Sequence, residues 1–270
     1  MISRDPQQNE AARANGTHNP WGRRQLIAEH VITHGGTRVE SLAQILGVSA
    51  MTIYRDVASL EQAGIVQLDR GVVNAIASSL NEADAEFRLQ QFPEKKQAMA
   101  EALASRITPG SSVMIDDSTS ALWVLRSLED GHRLTVITTS LLVANEAKGM
   151  EGVRLLMAGG EYEHWAHATM GPTAAANLRA WQADYCIMSA SGIIGGRCQH
   201  PYENAVQVKR AMIESSTTRF LMMDHTKFSR KALHTFAELT DFDAIVVDPE
   251  TPQSKRDELA AHGIEVIVSG

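Results

Sequence analysis

The 270-residue sequence has only two cysteines, Cys186 and Cys198. That is too few for a disulfide framework or a four-thiolate metal site, and it fits a reducing compartment in which both stay free thiols. No apolar run approaches the roughly 18 residues that a membrane span needs. The polar opening from Met1 to Asn19 lacks the apolar stretch of a secretory signal. The expectation is therefore a folded cytoplasmic protein with residues 1–19 as a disordered tail. Net positive charge is also missing: the chain carries -7, which argues against a basic coat for nucleic acid. Neither an internal repeat nor a glycine-rich nucleotide loop is visible.

What is present divides unevenly. With 44% hydrophobic and 21% charged residues the chain can bury the cores of two domains. Residues 1–78 hold seven Arg, no Lys and seven Asp plus Glu, hence zero net charge, so the remainder carries the whole excess, 18 basic against 25 acidic. Any DNA reader must lie in the neutral part, and pattern has to identify it.

Leu26, Ile27, Val31 and Ile32 recur at helical spacing before Gly35-Gly36, which predicts a first helix over 22–33. Val39, Leu42, Ala43 and Leu46 mark a second helix, stopped by Gly47, a residue suited to a tight helix–helix turn. Ser49 stands at an N-cap position for a third, whose buried face is Ile53, Val57 and Leu60 and which ends near Gly64. Residues 65–68 and 72–75, separated by Asp69-Arg70-Gly71, read as a hairpin. Three helices and a wing make a winged helix-turn-helix over 20–78. In such a motif the start of the third helix meets base edges, which nominates Ser49, Ala50, Met51, Thr52, Tyr54 and Arg55, with Arg38 and Arg70 as further DNA contacts. Arg55 can donate two hydrogen bonds to guanine or grip a phosphate, whereas Ala50, Met51 and the Thr52 methyl suit a thymine methyl. The competing reading is a helical protein–protein module in which Arg55 pairs with Asp56 or Glu61.

Residues 79–109 read as a helical linker, rich in Ala, Gln, Glu and Lys and broken by Pro93. A helix covering the sheet of the next domain is an equal reading. From Ser111 onward, short apolar runs at 113–115, 134–137, 153–156, 185–188, 220–223, 245–247 and 264–268 alternate with helical patterns. This predicts a largely parallel α/β domain over 110–270, with ligands held beyond the carboxyl ends of the strands. Those ends carry Asp116, Ser118, Thr119 and Ser120, then Thr139 and Ser140, then Gly159 and Gly160, then Asp224 and Lys227. Hydroxyls and amides at helix starts suit a phosphate, and Asp224 can accept sugar hydroxyls while Lys227 supplies a point charge. Taken singly, such residues are ordinary caps, turns or a surface ion pair between Asp224 and Lys227.

Two stretches carry a family resemblance. Residues 48–57, Val-Ser-Ala-Met-Thr-Ile-Tyr-Arg-Asp-Val, followed by Leu60 to Val66, resemble the DNA-binding signature of the DeoR family of transcription regulators. Tyr54 stands where the family commonly has Arg, and Asp69 to Val72 replace its usual His-Gly-Gly wing. Residues 112–270 are similar to the DeoR sensor domain, related in fold to ribose-5-phosphate isomerase. The resemblance implies phosphate-binding loops at Asp116 to Ser120, Thr139–Ser140 and Gly159–Gly160, and adds Lys209 to the effector residues. Ser118 replaces a usual Gly, Thr139 a usual Asn, and Ala205 stands where an acidic residue is usual. The resemblance implies a repressor whose operator binding responds to a phosphorylated sugar or related metabolite, acting as a dimer or higher homo-oligomer. An isomerase-like enzyme using Asp116 or Asp224 as acid–base group, and a metabolite-binding module that never touches DNA, are the competing readings. No cofactor or metal is expected: His164, His167, Cys198 and His200 match no ligand spacing, and Trp123, Trp165 and Trp181 read as packing residues, with Trp165 near the pocket mouth.

Overall fold

The computed structural model describes residues 19–76, 80–128 and 131–270, so the expected tail lies outside the described residues apart from Asn19. Two compact units form, Met1–Ala77 and Ser78–Gly270.

In the first unit, the Asn19 side chain accepts a hydrogen bond from Trp21 N at 3.1 Å, and Pro20 occupies a position where its missing amide costs nothing. Helix α1 (Pro20–His34) follows, then a two-residue strand β1 (Thr37–Arg38) that the sequence pattern did not announce, then α2 (Val39–Leu46). Gly47, with φ 66°, turns the chain into α3 (Ala50–Gln62), whose first amides are met by the Ser49 hydroxyl, 3.2 Å from Thr52 N. The wing is β2 (Val66–Asp69) and β3 (Val72–Ala75), paired antiparallel, with β1 on the other edge of β3. Arg70 and Gly71 both take positive φ, 49° and 78°, the twist a two-residue hairpin demands. Ile27, Val31, Val39, Leu42, Ile53, Val57, Leu60, Val66 and Val73 are all buried, one contiguous apolar set drawn from every helix and the wing.

A charged bond lies beneath this core. Asp56, on the inner face of α3, receives Arg23 Nε at 2.5 Å and Arg24 Nε at 3.2 Å from α1.

In the second unit, α4 (Ala85–Gln90) and α5 (Pro93–Ala104) are separated at Phe92, which sits at φ 48° because the following proline bars it from the right-handed helix. These helices belong to this unit: Met99, Ala100, Leu103 and Ile107 are buried with Val113, Ile115, Val136 and Ile187 against one face of a sheet. The sheet contains β4 (Ser112–Ile115), β5 (Leu134–Thr138), β6 (Val153–Met157), β9 (Ala183–Met188), β12 (Ser216–Met223), β14 (Ala244–Val247) and β15 (Glu265–Val268). Its order is β15-β14-β12-β9-β4-β5-β6, every neighbouring pair parallel. Helices α6 (Thr119–Arg126) and α7 (Leu141–Ala147) join α5 on that face, while α8 (Gly171–Arg179) and α9 (Glu203–Glu214) cover the other. Side chains alternate accordingly, Val113 and Ile115 to one cluster and Met114 to the other.

From β4 the chain winds outward through β5 to β6, then returns to β9 on the opposite side of β4. The switch point between β4 and β9 opens a crevice at their carboxyl ends, where α/β sheets hold ligands. Short antiparallel strands, β7 (Glu161–Glu163) with β8 (Ala168–Met170) and β10 (Gly192–Ile194) with β11 (Arg197–His200) and β13 (His234–Glu238), were not legible in the apolar pattern. A final helix α10 (Gln253–Ala261) leads to β15. Among the described residues, no helix is long and apolar enough to cross a membrane.

Asp56→Ala removes the buried carboxylate that Arg23 and Arg24 share, so urea unfolding of the first unit should lose roughly 3 kcal/mol. Arg55→Ala, one residue earlier on the solvent face, should change it by less than about 0.5 kcal/mol.

Candidate functional site

The exposed face of α3 carries Met51, 63% accessible, Tyr54, 38% accessible, and Arg55, while Ile53, Asp56, Val57 and Leu60 face inward. Ser49 is exposed, but its hydroxyl is committed to the cap and lies 2.9 Å from Thr52 Oγ1. Ala50 and Thr52 are half-buried. The partners that a protein–protein reading assigned to Arg55 are otherwise engaged: Asp56 holds Arg23 and Arg24, and Glu61 Oε1 accepts Leu68 N at 2.7 Å. Arg38 pairs in register with Val72, which places it beside the exposed turn residue Arg70. The structure thus presents Arg55, Met51 and Tyr54 on one helix face and sets Arg38 and Arg70 together at the wing.

At the switch point of the second unit, the nominated residues divide by what already holds them. Asp116, fully buried, accepts Ser118 N at 2.9 Å through Oδ1, and Ser189 N at 3.1 Å and Lys209 Nζ at 2.5 Å through Oδ2. Lys209, reaching in from α9, also donates to Ser189 O at 3.1 Å and lies 3.5 Å from Asp117 Oδ1. Burial alone would lower the amine's pKa, but the two aspartates hold it above the usual lysine range. Asp116 and Lys209 therefore brace the ends of β4 and β9.

The hydroxyls of Ser118 and Ser140 accept Ala121 N and Val143 N at 3.2 and 3.3 Å, as caps of α6 and α7. Thr119 Oγ1 accepts Lys96 Nζ at 2.9 Å, and Ser120 is buried in the first turn of α6. Thr139 differs: its hydroxyl is buried and has no hydrogen-bond partner among the described residues. Gly159 is exposed, whereas a Cβ on Gly160 would sit 2.6 Å from Met170 O and 2.8 Å from Ala174 Cβ, so this glycine permits close packing on α8. Asp224, buried, accepts Thr226 N at 3.0 Å as well as the Thr226 hydroxyl. It is not half of a surface ion pair. Lys227 is half-buried, its pKa lowered by burial and by Arg230 and Arg88 against the pull of Glu82 and Asp224.

Sequence reasoning missed Glu82, Arg88 and Lys96, and gave Asp117 no role. Glu82 is buried and receives the Ser191 hydroxyl. Burial would raise its pKa, but Lys227, Arg230, Arg88 and His200 hold it far below the usual carboxylate range. Arg88 Nη2 stands 3.6 Å from Asp117 Oδ2, and its guanidinium lies 5.8 Å from the Trp165 ring, which packs on His200 and Tyr202. The signal for Lys96 was available: it shares spacing with Met99, Ala100 and Leu103, so a lysine falls on the buried face of α5. Glu82, in a polar stretch, had no such signal.

Among the described residues, two groups have metal-ligand chemistry: Asp84 with Glu86 and His167, and Asp224 with His225 and Asp248. In the second, Asp248 Oδ2 already takes both His225 N and Nδ1, and Lys95 Nζ stands 3.4 Å from that ring nitrogen, which opposes a cation. In the first, one Asp84 oxygen caps α4. A groove of about 430 Å³ between α4, α6 and α7, bordered by Leu89, Leu122, Arg126 and Met150, contains none of the strand-end residues.

Burial, then Arg88 and Lys227, push the Lys96 amine down to about 7 despite Asp224. In the unfolded chain a lysine titrates near roughly 10.4. Between those values the unfolded chain binds the extra proton, so Lys96 makes stability rise with pH. Urea titrations of wild type and Lys96→Met across that window should show the difference moving in favour of wild type by up to about 1.4 kcal/mol per pH unit above neutrality. A constant difference would mean that Lys96 stays charged.

Comparison with known proteins matches two family models: a DeoR-like helix-turn-helix domain over residues 23–79 and a DeoR C-terminal sensor domain over residues 91–249. The uncharacterized HTH-type transcriptional regulator YgbI of Escherichia coli is 30% identical over 250 residues, 93% of this chain and 98% of that one. The glycerol-3-phosphate regulon repressor of Escherichia coli is 30% identical over 242 residues, covering 89% and 95%. The HTH-type transcriptional repressor CsqR of the same organism is 29% identical over 244 residues, covering 90% and 92%. Among solved structures, ribose 5-phosphate isomerase A of Methanocaldococcus jannaschii aligns with a TM-score of 0.38 at 13% identity over 51% of this chain and 55% of that chain, a likeness too slight to carry an argument. With matched models over both units and relatives aligned nearly end to end, the chain belongs to the DeoR family of DNA-binding transcription regulators.

Proposed function

We propose that the protein is a repressor that releases or tightens on its operator when a phosphorylated sugar or related metabolite occupies the crevice between β4 and β9. The observation that carries the reading is that Thr139 and the amide-rich starts of α6 and α7 follow the carboxyl ends of parallel strands, with Arg88 beside Asp117 after β4 and Lys227 after β12. The cationic groups and amides suit a phosphate, and the carboxylates Asp117 and Asp224 suit sugar hydroxyls. In this reading Asp116, Lys209 and Gly160 shape the site, and Ser118, Thr119, Ser120, Ser140 and Gly159 offer their loops to the ligand.

The same reading makes the sensor a binder, not a catalyst. An isomerase needs a carboxylate free to move a proton at the substrate. Both Asp116 oxygens are bonded, and Asp224 is held by Thr226, which leaves neither well placed for that work. On the DNA side, Arg55 with Met51 and Tyr54 enters the major groove, and Arg38 and Arg70 hold backbone phosphates. A homodimer would set two such helices one duplex turn, about 34 Å, apart.

The test begins by selecting genomic fragments on purified protein, with and without a panel of sugar phosphates. Enriched paired half-sites whose recovery changes with one phosphate are expected. Absence of enrichment at low salt, or turnover of a pentose phosphate, would overturn the reading. On the selected fragments Arg55→Ala should weaken specific binding by roughly 10- to 100-fold, the worth of one good base contact, and leave metabolite binding unchanged. Lys227→Ala should blunt the metabolite response.

A further inference from the structure

The segment that opens the second unit carries polar groups whose bonding capacity is not filled. Among the described residues, Glu82 Oε1 and Arg88 Nη2 are both buried without a hydrogen-bond partner. The nearest opposite charges are distant for such bonds: Arg88 Nε is 4.0 Å from Glu82 Oε1, and Arg88 Nη2 is 3.6 Å from Asp117 Oδ2. Charge-assisted contacts normally close to about 2.8 Å. A buried polar atom in this condition is unfavourable, and for Arg88 Nη2 an anion would supply the missing partner.

Position in the chain gives these groups a second meaning. The first unit ends at Ala77, and Glu82 follows a few residues later. What ties this stretch to the crevice is a short set of bonds. Ser191 donates its hydroxyl to Glu82, Glu82 N reaches Tyr202 Oη at 3.4 Å, and Tyr202 Oη donates to Asn81 at 3.4 Å. Arg88 closes the loop on Ala83 O at 2.9 Å. Glu82 remains buried as a carboxylate because Lys227, Arg230 and Arg88 face it.

Arg88 and Lys227 are also the cations that an incoming anion would seek. We propose that Glu82 and a bound ligand's anionic group compete for Arg88 and Lys227, so that ligand binding loosens the Glu82–Ser191 bond and frees the segment leading from the DNA-binding unit. This rests on the reading of the crevice as an effector site. It makes Glu82 a positioning residue: it touches neither DNA nor ligand, and it reports the ligand's charge to the chain that continues into the first unit. A neutral sugar in the same crevice would leave Glu82 its cations and would not trigger release.

Two measurements on the full-length protein test this. Fluorescence anisotropy on fragments selected by wild type should show Glu82→Gln and Ser191→Ala each shifting DNA affinity by at least about fivefold, in the same direction, without any ligand. Glu82→Asp should restore part of the shift, and Arg106→Ala, which breaks a surface pair with Glu265, should cause none. Hydrogen exchange over residues 80–90, with inorganic phosphate as probe and equal ionic strength as control, should speed up in wild type. In Glu82→Gln it should be fast from the start. Wild-type DNA affinity in both variants, with melting temperatures intact, would overturn the proposal, as would exchange in wild type that ignores phosphate. If wild type selects no DNA yet phosphate still speeds exchange over this segment, the regulator reading fails while the competition at Glu82 stands.

Discussion

The buried bond between Lys209 and Asp116 is the constraint on which the second unit depends. Removing a lysine and a carboxylate from water costs several kcal/mol for each ion, and only close geometry with every remaining hydrogen-bond site filled returns that energy. The structure meets this condition: Asp116 takes two backbone amides besides the lysine, and Lys209 takes Ser189 O and the neighbourhood of Asp117. The consequence is geometric. Strands β4 and β9 lie on opposite sides of the point where the winding reverses, and nothing in the parallel ladder alone fixes their loops relative to α9. One charged bond does so, and it sets the loops that follow in fixed places.

Once those loops are fixed, the polar residues of the crevice fall into two kinds. Ser118, Ser140 and Asp224 have their side chains occupied by backbone amides and hold their own loops in shape. Thr139, Arg88 and Glu82 keep buried atoms without hydrogen-bond partners among the described residues. The cost of those atoms is tolerable because the braced framework cannot collapse to satisfy them. A crevice built this way is preorganised for the ligand proposed above: its unfilled capacity is held open by residues whose own hydrogen bonds fix their loops.

The framework was legible in the sequence, and the unfilled groups were not, for the same physical reason. Apolar periodicity reports burial of carbon, so α1 to α3, the wing and all seven strands of the parallel sheet could be placed from runs such as Val113 to Ile115 and Phe220 to Met223. Strand ends could be located, and with them Asp116, Thr139 and Asp224. Periodicity is silent about charge that is buried by pairing. Glu82 and Arg88 meet Asp117 and Ser191 only because the chain before α4 folds back over the crevice, a contact spanning more than a hundred residues for Ser191. The short strands β7, β8, β10, β11 and β13 escaped for a related cause: they are three to five residues long, and β10, β11 and β13 carry glycine, histidine or arginine where an alternating apolar face would be sought.

The same logic decides how a neutral unit can meet DNA. Seven arginines against seven acids over residues 1–78 look unpromising until each charge is followed to its partner. Asp56 is spent inside the fold on Arg23 and Arg24, and Glu61 on the amide of Leu68, whereas Arg38, Arg55 and Arg70 are exposed. What the unit can offer DNA is this set of exposed arginines, not an excess of positive charge. It is still small: three arginines make few phosphate contacts, and counterion release grows with the number of contacts. A single copy would therefore bind weakly and depend little on salt. Two copies acting together would double the contacts, as the homodimer proposed above would do on paired half-sites.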